Sequence, residues 1–370
     1  MIFGVPIEIQ NHESRVGATP ELVQFLKTLE HQVFVETNAG LASGFDDDDY
    51  VEAGATIVPS PEKLYAQADF LLKVQPPMPV EYDLIRPEHT VFAYYHLLGN
   101  LDMARALMGK GCSCYAYDQV KRSDGSRPFN DLAGRIEGQL AVQQAGVLLQ
   151  SNNEGKGVLL ASLAGASPAE IAIVGETAAA HSAAIYASNL GCHVSILVAD
   201  EERVEAVRSI LPDTIDIFAR NEDSFAQVLP SADVVISAAN ESGPAEIVVD
   251  KACETLLSSG TVILDLDIAS GGSVESSTPT THENPTFLID KVIHYCVPNL
   301  AGVVAATGSV ALSTTLLGHF RLFPERDFEI ALKEDDIFFS GLATFEGRVA
   351  EARLASELSI TYFDLRIADD

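Results

Sequence analysis

The amino-acid sequence predicts an α/β protein with two doubly wound parallel sheets, the second a Rossmann-like insertion into the first. Short apolar runs typical of strands alternate with helical patterns in two separate sets, which is the pattern of βαβ units. A long helical pattern without proline lies between the two sets. The length of 370 residues also fits two domains of roughly 100 to 200 residues each.

The first set of elements begins at the N-terminus. Strands are predicted where β-branched and aromatic residues cluster, and helices where apolar residues recur at helical spacing. In chain order the pattern predicts a strand at 3–7, a helix at 20–31, a strand at 32–37, a helix at 61–68 and a strand at 69–74.

The second set begins near Ala169 and repeats the same rhythm. It predicts a strand at 170–175, a helix at 178–191 and strands at 193–198, 232–238 and 260–267. This succession indicates a second doubly wound unit.

Two further helical stretches connect the sets. Apolar residues at helical spacing predict a helix over 131–150, and a second apolar stretch at 302–322 is expected to return the chain to the first domain. We therefore expect one domain formed by 1–130 plus 305–370, and an inserted domain formed by 131–304.

The composition excludes several classes of protein. Apolar residues make up 47% of the chain and charged residues 21%, as in a globular protein. With 23 Lys and Arg against 53 Asp and Glu, the net charge is −30, which repels nucleic acids and anionic membrane surfaces and favours solubility at high salt. The acidic run Asp46 to Asp49 is interpreted as a solvated loop, because it lacks the turn glycine and carbonyl ligands of a calcium site. No metal site is expected.

The cysteines and the N-terminus predict a cytoplasmic protein. The five cysteines are odd in number and none forms a CxxC pair, which is typical of buried thiols in a reducing compartment. The first residues lack a basic segment followed by an apolar one, and no run of eighteen apolar residues occurs elsewhere.

A series of motifs gives the chain a family resemblance. In order they are GVPIEIQNHESRVGATPE, LASGFDDDDYVEAGATIV, LLKVQPP, YYHLL, GGSVESSTPTTHENPTF, YCVPNL and SGLATFEGRVAEARLASEL. Over nearly its whole length the chain resembles the alanine dehydrogenase and pyridine nucleotide transhydrogenase α-subunit family. The resemblance implies a substrate domain followed by an inserted nucleotide-binding-type domain, NAD as cofactor, a small oxo or amino acid as ligand, and a homo-oligomer.

The resemblance also implies a substrate site. Arg15 falls on the family arginine that holds the substrate carboxylate, His96 on the histidine that polarises its carbonyl, and Asn299 lies in the YCVPNL motif. Without the resemblance, a surface arginine and a core histidine would be the simpler interpretations of Arg15 and His96.

Two residues of the family's chemistry are replaced. The family reads LKVK, with the second lysine at the substrate, whereas this chain has Gln75, which donates a neutral hydrogen bond but supplies no charge. Lys73 lies on the same face of the strand but about 6.6 Å away. The family aspartate before QGG is Ala269 here; Asp267 is a candidate substitute base, and a strand-end cap is its alternative interpretation.

The dinucleotide motif is also altered. Gly175 and Ala180 of the expected Gly-x-Gly-x-x-Gly/Ala turn remain, but Thr177 replaces its middle glycine and Glu176 places a carboxylate beside the phosphate position.

Two more nucleotide positions differ from the family. The ribose-binding acid at the end of the next strand is Val198, with Asp200 two residues later, and Gly134 stands where the family has a serine near the pyrophosphate.

Three hypotheses follow from these departures. The first is a member of the family that binds a small oxo or amino acid but has lost ordinary dehydrogenase chemistry or retains little of it. The second is an active NAD-dependent alanine dehydrogenase with an unusual site, and the third is an opine-type oxidoreductase of the same fold. A transhydrogenase subunit is disfavoured, because it would need the altered dinucleotide loop.

Overall fold

A computed structural model describes residues 1–240, 243–321 and 328–367. The chain forms two compact units, unit 1 (Met1–Asn130 with Ala301–Asp370) and unit 2 (Asp131–Leu300). The chain returns to unit 1 at Ala301 rather than at residue 305 as expected. The last residue of the predicted stretch 302–322 lies outside the described residues.

Strands and helices alternate along most of the described chain. Up to residue 148 the elements are β1 (Ile2–Val5), α1 (Pro20–Thr28), β2 (Gln32–Glu36), α2 (Asp47–Glu52), β3 (Thr56–Val58), α3 (Pro61–Gln67), β4 (Phe70–Leu72), β5 (Thr90–Ala93), α4 (Leu101–Lys110), β6 (Ser113–Ala116) and α5 (Pro128–Leu148). From 170 to 295 they are β7 (Glu170–Val174), α6 (Ala178–Asn189), β8 (His193–Val198), α7 (Glu201–Arg208), β9 (Ile215–Ala219), α8 (Glu222–Val228), β10 (Val234–Ser237), α9 (Lys251–Glu254), β11 (Val262–Asp265), β12 (Thr286–Ile289) and β13 (Val292–Tyr295). The later elements are α10 (Ala305–Phe320), α11 (Phe328–Glu334), α12 (Asp336–Ser340), β14 (Leu342–Phe345), β15 (Arg348–Val349) and α13 (Ala352–Leu358).

The sheet of unit 1 has the order β15-β14-β6-β5-β4-β1-β2-β3. Strands β1 to β6 pair in parallel, and β14 and β15 are antiparallel additions at one edge. The chain starts at β1 in the middle and winds first to one side and then to the other. The strand order therefore reverses between β1 and β4, and in such sheets the crevice at the carboxyl ends of these two strands is the usual ligand position.

The sheet of unit 2 has the order β12-β13-β11-β10-β7-β8-β9. All its pairings are parallel except that of β12 with β13. Its reversal lies between β7 and β10, which is the Rossmann arrangement. The predicted fold class, two doubly wound parallel sheets of which the second is Rossmann-like, is confirmed.

Helix α10 belongs to the core of unit 1. Together with the 3-10 helix before it, Leu300–Phe320 is long and apolar enough to cross a membrane by length and composition, and half of its most apolar stretch is buried within the protein. Leu312, Leu316 and Phe320 of this helix lie in the main apolar cluster of unit 1. The helix thus has the burial pattern of an amphipathic core helix.

Two local expectations are wrong. The acidic run is not a loop, because Asp46 caps the amino end of α2 by accepting a hydrogen bond from the amide of Asp49 at 3.1 Å. All five cysteines are free thiols, and four of them are buried as expected, but Cys253 is half-buried.

Candidate functional site

The loop after β1 carries a buried ion pair at the point where the sheet order of unit 1 reverses. Arg15 is 9% exposed, and it binds Glu13 with two hydrogen bonds, Nε to Oε1 at 2.8 Å and Nη2 to Oε2 at 2.6 Å. Burial alone would raise the pKa of Glu13, but the hydrogen bonds and charge of Arg15 hold it below its usual value. Glu13 is therefore a carboxylate that fixes the guanidinium in a forked geometry.

Two serine side chains of helix α10 bind the backbone amides of this loop. The hydroxyl of Ser309 accepts a hydrogen bond from the amide of Val16 at 2.9 Å, and that of Ser313 accepts one from the amide of Thr19 at 2.8 Å. A Cβ atom at Gly308 would lie 2.6 Å from Cδ of Arg15, so the glycine leaves space for the arginine stem. The position of Arg15 is thus fixed from both sides.

Gln75 shares the carboxylate of Glu13. Its Nε2 donates a hydrogen bond to Oε2 of Glu13 at 3.0 Å. Gln75 follows β4, the strand next to β1, so the fold brings it to the same edge as Arg15. The residue in place of the family lysine is therefore a neutral donor held beside the arginine.

Lys73 is buried among carboxylates. Its side chain is 0% exposed, and Nζ lies 3.0 Å from Oε1 of Glu81 and 3.4 Å from Oε2 of Glu8. Burial lowers the pKa of Lys73, but the two carboxylates outweigh it and raise the pKa overall. For Glu8 the burial is the larger effect, so its pKa is raised despite the nearby ammonium. The ammonium of Lys73 is already committed to these two partners, which argues against it as a substitute for the missing substrate lysine.

His96 follows β5. Because β5 pairs in parallel with β4, and β4 with β1, His96 lies at the same carboxyl edge of the sheet as Gln75 and Arg15. Its backbone has a left-handed conformation with φ of 47°, which is uncommon for residues other than glycine. The carboxylate of Asp118 accepts hydrogen bonds from the amides of Tyr95 and His96, at 2.8 and 3.3 Å. The side chain of His96 is exposed, so the interpretation as a core histidine is wrong.

The turn after β7 needs a glycine for a backbone reason. Gly175 has φ of 126°, and a Cβ atom there would lie 2.0 Å from the carbonyl oxygen of Ala238 at the end of β10. Thr177 caps α6: its hydroxyl donates to that same carbonyl at 2.9 Å and accepts from the amide of Ala180 at 3.3 Å. In this structure the threonine thus takes up one of the helix amides that would be offered to a phosphate.

Glu176 is neutralised by an arginine that the sequence analysis missed. Nε of Arg203, near the start of α7, donates to Oε2 of Glu176 at 2.7 Å. The two side chains are 48% and 22% exposed, and exposed pairs of this kind contribute about 0 to 1 kcal/mol. The carboxylate beside the phosphate position therefore has a weakly held cation next to it.

The last residue of β8 is a valine where the family has its ribose-binding acid. Val198 is 0% exposed, so its side chain belongs to the core of unit 2. Asp200 is the cap of α7 and accepts a hydrogen bond from the amide of Arg203 at 3.0 Å. Arg220, directly after β9, donates its amide to the carbonyl of Val198 at 2.8 Å, and its Nη1 atom is buried without a hydrogen-bond partner among the described residues.

Helices α5 and α6 pack closely through glycines. A Cβ atom at Gly134 would lie 3.0 Å from the amide nitrogen of Ala179, and one at Gly138 would lie 2.2 Å from its carbonyl oxygen. The glycine in place of the family serine therefore serves the approach of the two helices.

Asp267 fits the strand-end cap better than the base. Its two oxygens accept hydrogen bonds from the amides of Ala239 and Asn240, at 2.8 and 3.2 Å. The side chain is 7% exposed, and burial raises its pKa to about 6. Ala269, at the family's acid position, is exposed. The fold thus uses Asp267 to hold the loop after β10.

Asn299 follows β13 at the carboxyl edge of unit 2. It is half-buried, and its carbonyl oxygen lies 3.3 Å from Nε2 of His282. Its role toward a ligand stays a prediction. Within residues 1–240, 243–321 and 328–367, no group of three or more His, Cys, Asp or Glu side chains is arranged to hold a metal ion.

These features define a two-unit α/β protein of the doubly wound class whose inserted unit has Rossmann topology. Family models agree with this class: the "Alanine dehydrogenase/PNT, N-terminal domain" matches residues 4–132, and the "Alanine dehydrogenase/PNT, C-terminal domain" matches residues 141–352. The chain belongs to the alanine dehydrogenase/PNT family.

Individual relatives span the whole chain. An alanine dehydrogenase of Bacillus subtilis is 34% identical and one of Methanococcus maripaludis 32% identical, with 98% of this chain covered in both cases and 96% and 98% of the relative. A solved structure of an L-alanine dehydrogenase superposes with a TM-score of 0.89 at 32% identity, covering 97% of this chain and 99% of the other. A transhydrogenase structure from Sinorhizobium meliloti, with a TM-score of 0.79 over 95% of this chain and all of that one, is 23% identical and shows the fold alone.

Proposed function

We propose that this alanine dehydrogenase-like protein binds a small oxo or amino acid through Arg15 and His96, and that ordinary alanine dehydrogenation is lost or strongly reduced. The observation that carries the proposal is the charge arrangement at the reversal of the unit 1 sheet. Arg15 and the neutral Gln75 both bind Glu13, whereas Lys73 is buried against Glu8 and Glu81.

This arrangement supports carboxylate binding but not carbonyl polarisation. A fixed guanidinium is suited to hold a carboxylate in a bidentate manner. Hydride transfer to an oxo acid also needs positive charge and a proton donor at the carbonyl oxygen, and Gln75 supplies neither a charge nor an exchangeable acid. Ala269 removes the family's acid, and Asp267 is occupied by two backbone amides.

The cofactor that the family implies is NAD, and the residues of unit 2 do not fit it in the usual pose. Thr177 caps the helix amide at the phosphate position, and the buried Val198 replaces the acid that would bind the ribose 2′-hydroxyl. We therefore assign no step to a nicotinamide. By family resemblance we further propose a cytoplasmic homo-oligomer that binds neither nucleic acid nor membrane.

The deciding measurement is NADH formation from L-alanine at alkaline pH by the purified chain. We expect turnover to be absent or very slow, and a rate on the order of 1 s⁻¹ or faster would establish the alternative, an active NAD-dependent alanine dehydrogenase. NADH-dependent reductive condensation of pyruvate with an amino acid as the amine, in place of ammonia, would establish the opine-type alternative.

Ligand binding is tested separately by calorimetry with pyruvate and L-alanine. The variant Arg15→Ala should bind about ten- to a hundredfold more weakly, because it removes a charge-assisted contact of about 1.5 to 3 kcal/mol. Because Arg15→Ala also leaves the buried Glu13 without its cation, it is compared with a double variant that adds Glu13→Gln. Arg105→Ala, at an exposed arginine of α4, is the matched control, and unchanged affinity in both Arg15 variants would refute the assignment.

A further inference from the structure

We propose that the carboxyl edge of β8 and β9 in unit 2 binds the 2′-phosphate of an NADP-type nucleotide, with Arg203 and Arg220 as its ligands. The inference goes beyond the proposed function, because it concerns a phosphate-binding site in unit 2 and does not depend on the oxo-acid site or on hydride transfer.

The backbone brings the two arginines to one edge of the sheet. In the register of β8 and β9, Val198 pairs with Ala219, and Arg220 follows directly. Arg203 lies in the first turn of α7, the helix that begins just after β8. In a Rossmann sheet the end of the second strand, here β8, faces the adenosine ribose.

The residues at this edge select against an unmodified ribose. Sites for NAD place an acid here to bind the 2′-hydroxyl, whereas sites for NADP use an arginine for the 2′-phosphate. Val198 offers a buried apolar side chain, and the nearby Asp200 uses one of its oxygens to cap α7. The chain has thus lost the acid and has arginines in its place.

Arg220 supplies a second, independent observation. Its Nη1 atom is buried and has no acceptor among the described residues. Buried guanidinium N–H groups are nearly always hydrogen-bonded, so this one indicates an acceptor that the described chain does not supply. A phosphate oxygen is an acceptor suited to the forked guanidinium. In a chain of net charge −30, such a position is a local exception to a field that repels anions.

Glu176 acts as a competitor at this site. In the structure its Oε2 accepts from Nε of Arg203, and both side chains are partly exposed. A phosphomonoester carries close to two negative charges near neutral pH and has three acceptor oxygens, so it binds the arginine more strongly than one carboxylate does. Glu176→Gln should therefore raise the affinity for the phosphorylated nucleotide.

The test is calorimetry on the full-length protein without oxo or amino acid. Adenosine 2′,5′-bisphosphate is compared with adenosine 5′-monophosphate, NADPH with NADH, and inorganic phosphate serves as the free-phosphate arm. We expect each 2′-phosphorylated nucleotide to bind at least about tenfold more tightly than its partner, a difference of about 1.4 kcal/mol. Equal affinities, no binding of the bisphosphate, or phosphate binding as tight as the bisphosphate would each overturn the proposal.

Variants assign the residues. Arg203→Gln and Arg220→Gln should each reduce the preference at least about fivefold, while Arg208→Gln, at an exposed arginine at the end of the same helix, should leave it unchanged. Retained preference in both variants would overturn the assignment. If Arg220→Gln does not fold, Arg203→Gln, at an exposed side chain, is the variant that tests the proposal. Failure here leaves pyruvate and L-alanine binding intact, which distinguishes it from failure of the proposed function.

Discussion

The two sheet reversals hold their charges in opposite ways. In unit 1, Arg15 and Lys73 are buried, and each is bound by carboxylates inside the protein. In unit 2, Arg203 is exposed and its partner Glu176 is only half-buried. A buried pair broken at one end leaves an uncompensated charge, whereas an exposed pair is readily replaced by water or a ligand. We conclude that removing one partner of the buried pairs in unit 1 costs stability, whereas replacing a partner of the Arg203–Glu176 pair in unit 2 acts mainly on ligand choice.

The largest expected effect is at Lys73. Lys73→Met would leave Glu8 and Glu81 buried without their cation, so we expect a loss of about 3 to 5 kcal/mol in the free energy of unfolding. Lys110→Met is the control, because Lys110 pairs with the exposed Asp83 and should lose about 1 kcal/mol or less. Urea unfolding followed by circular dichroism measures both, and similar losses would break the comparison.

Alanine substitutions at two helical glycines should change the stability of the fold in opposite directions. Gly138→Ala would place a Cβ atom 2.2 Å from the carbonyl oxygen of Ala179, so we expect a loss of about 1 to 3 kcal/mol. Gly109 in α4 has no atom within 4 Å of such a Cβ, and alanine there should stabilise the helix by about 0.5 to 1 kcal/mol. Thermal unfolding measures the stability of both variants, and an unchanged or increased stability of Gly138→Ala would contradict the close approach of α5 and α6.

Asp267 should make the stability of the folded protein depend on pH. Because burial raises its pKa to about 6 in the folded state, from 3.8, the ionised form opposes folding above pH 6. That cost is relieved as the pH falls toward 3.8, so the stability of the natural chain relative to Asp267→Asn should increase from about pH 7 to pH 5. Asp213→Asn, at an exposed position, gives the baseline for removing a charge. A relative stability that falls over this range would contradict the buried cap.

The smallest expected effect is at His193, at the amino end of β8 in the unit 2 sheet. His193 lies 2.6 Å from Glu170 and 3.0 Å from Asp216, and the hydrogen bond with Glu170 is the main reason why its pKa is raised. The pair therefore stabilises the fold below about pH 6.5, and the gain is lost as the pH rises through the raised value. Since His193 is 48% exposed, His193→Gln should cost about 0.5 kcal/mol or less at pH 5.5 and nothing measurable at pH 9. An equal loss at both pH values would point to packing instead of charge.

Much of the fold can be predicted because parallel strands leave a strong local signal. Buried on both faces, β7 and β8 read as nearly continuous apolar runs, and the strand predicted at 193–198 has those same bounds in the structure. Helix ends are predicted less accurately from the sequence. Helix α1 ends at Thr28, three residues before the predicted end, and Glu30 just beyond it has a left-handed conformation with φ of 60°.

The candidate sites were only partly predictable, because their partners are distant in the sequence. The strand predicted at 69–74 indicates that Lys73 and Gln75 share a face, and both residues follow β4 in the structure. Nothing local indicates that Glu81 and Glu8 enclose the first and Glu13 binds the second. Arg203 lies 27 residues from Glu176, and the two meet only through the winding of the sheet. A position that depends on tertiary packing is not visible in a local pattern.

The hydroxyls of α10 have a consequence for the order in which the protein is made. The amides of Val16 and Thr19 find their partners in Ser309 and Ser313, 293 and 294 residues further along. During synthesis the chain emerges N-terminus first and folds domain by domain, so all of unit 2 leaves the ribosome before these bonds can form. The loop that carries Arg15 is therefore among the last parts of unit 1 to be completed, and a nascent chain that stops short of Ser309 has no anchored arginine.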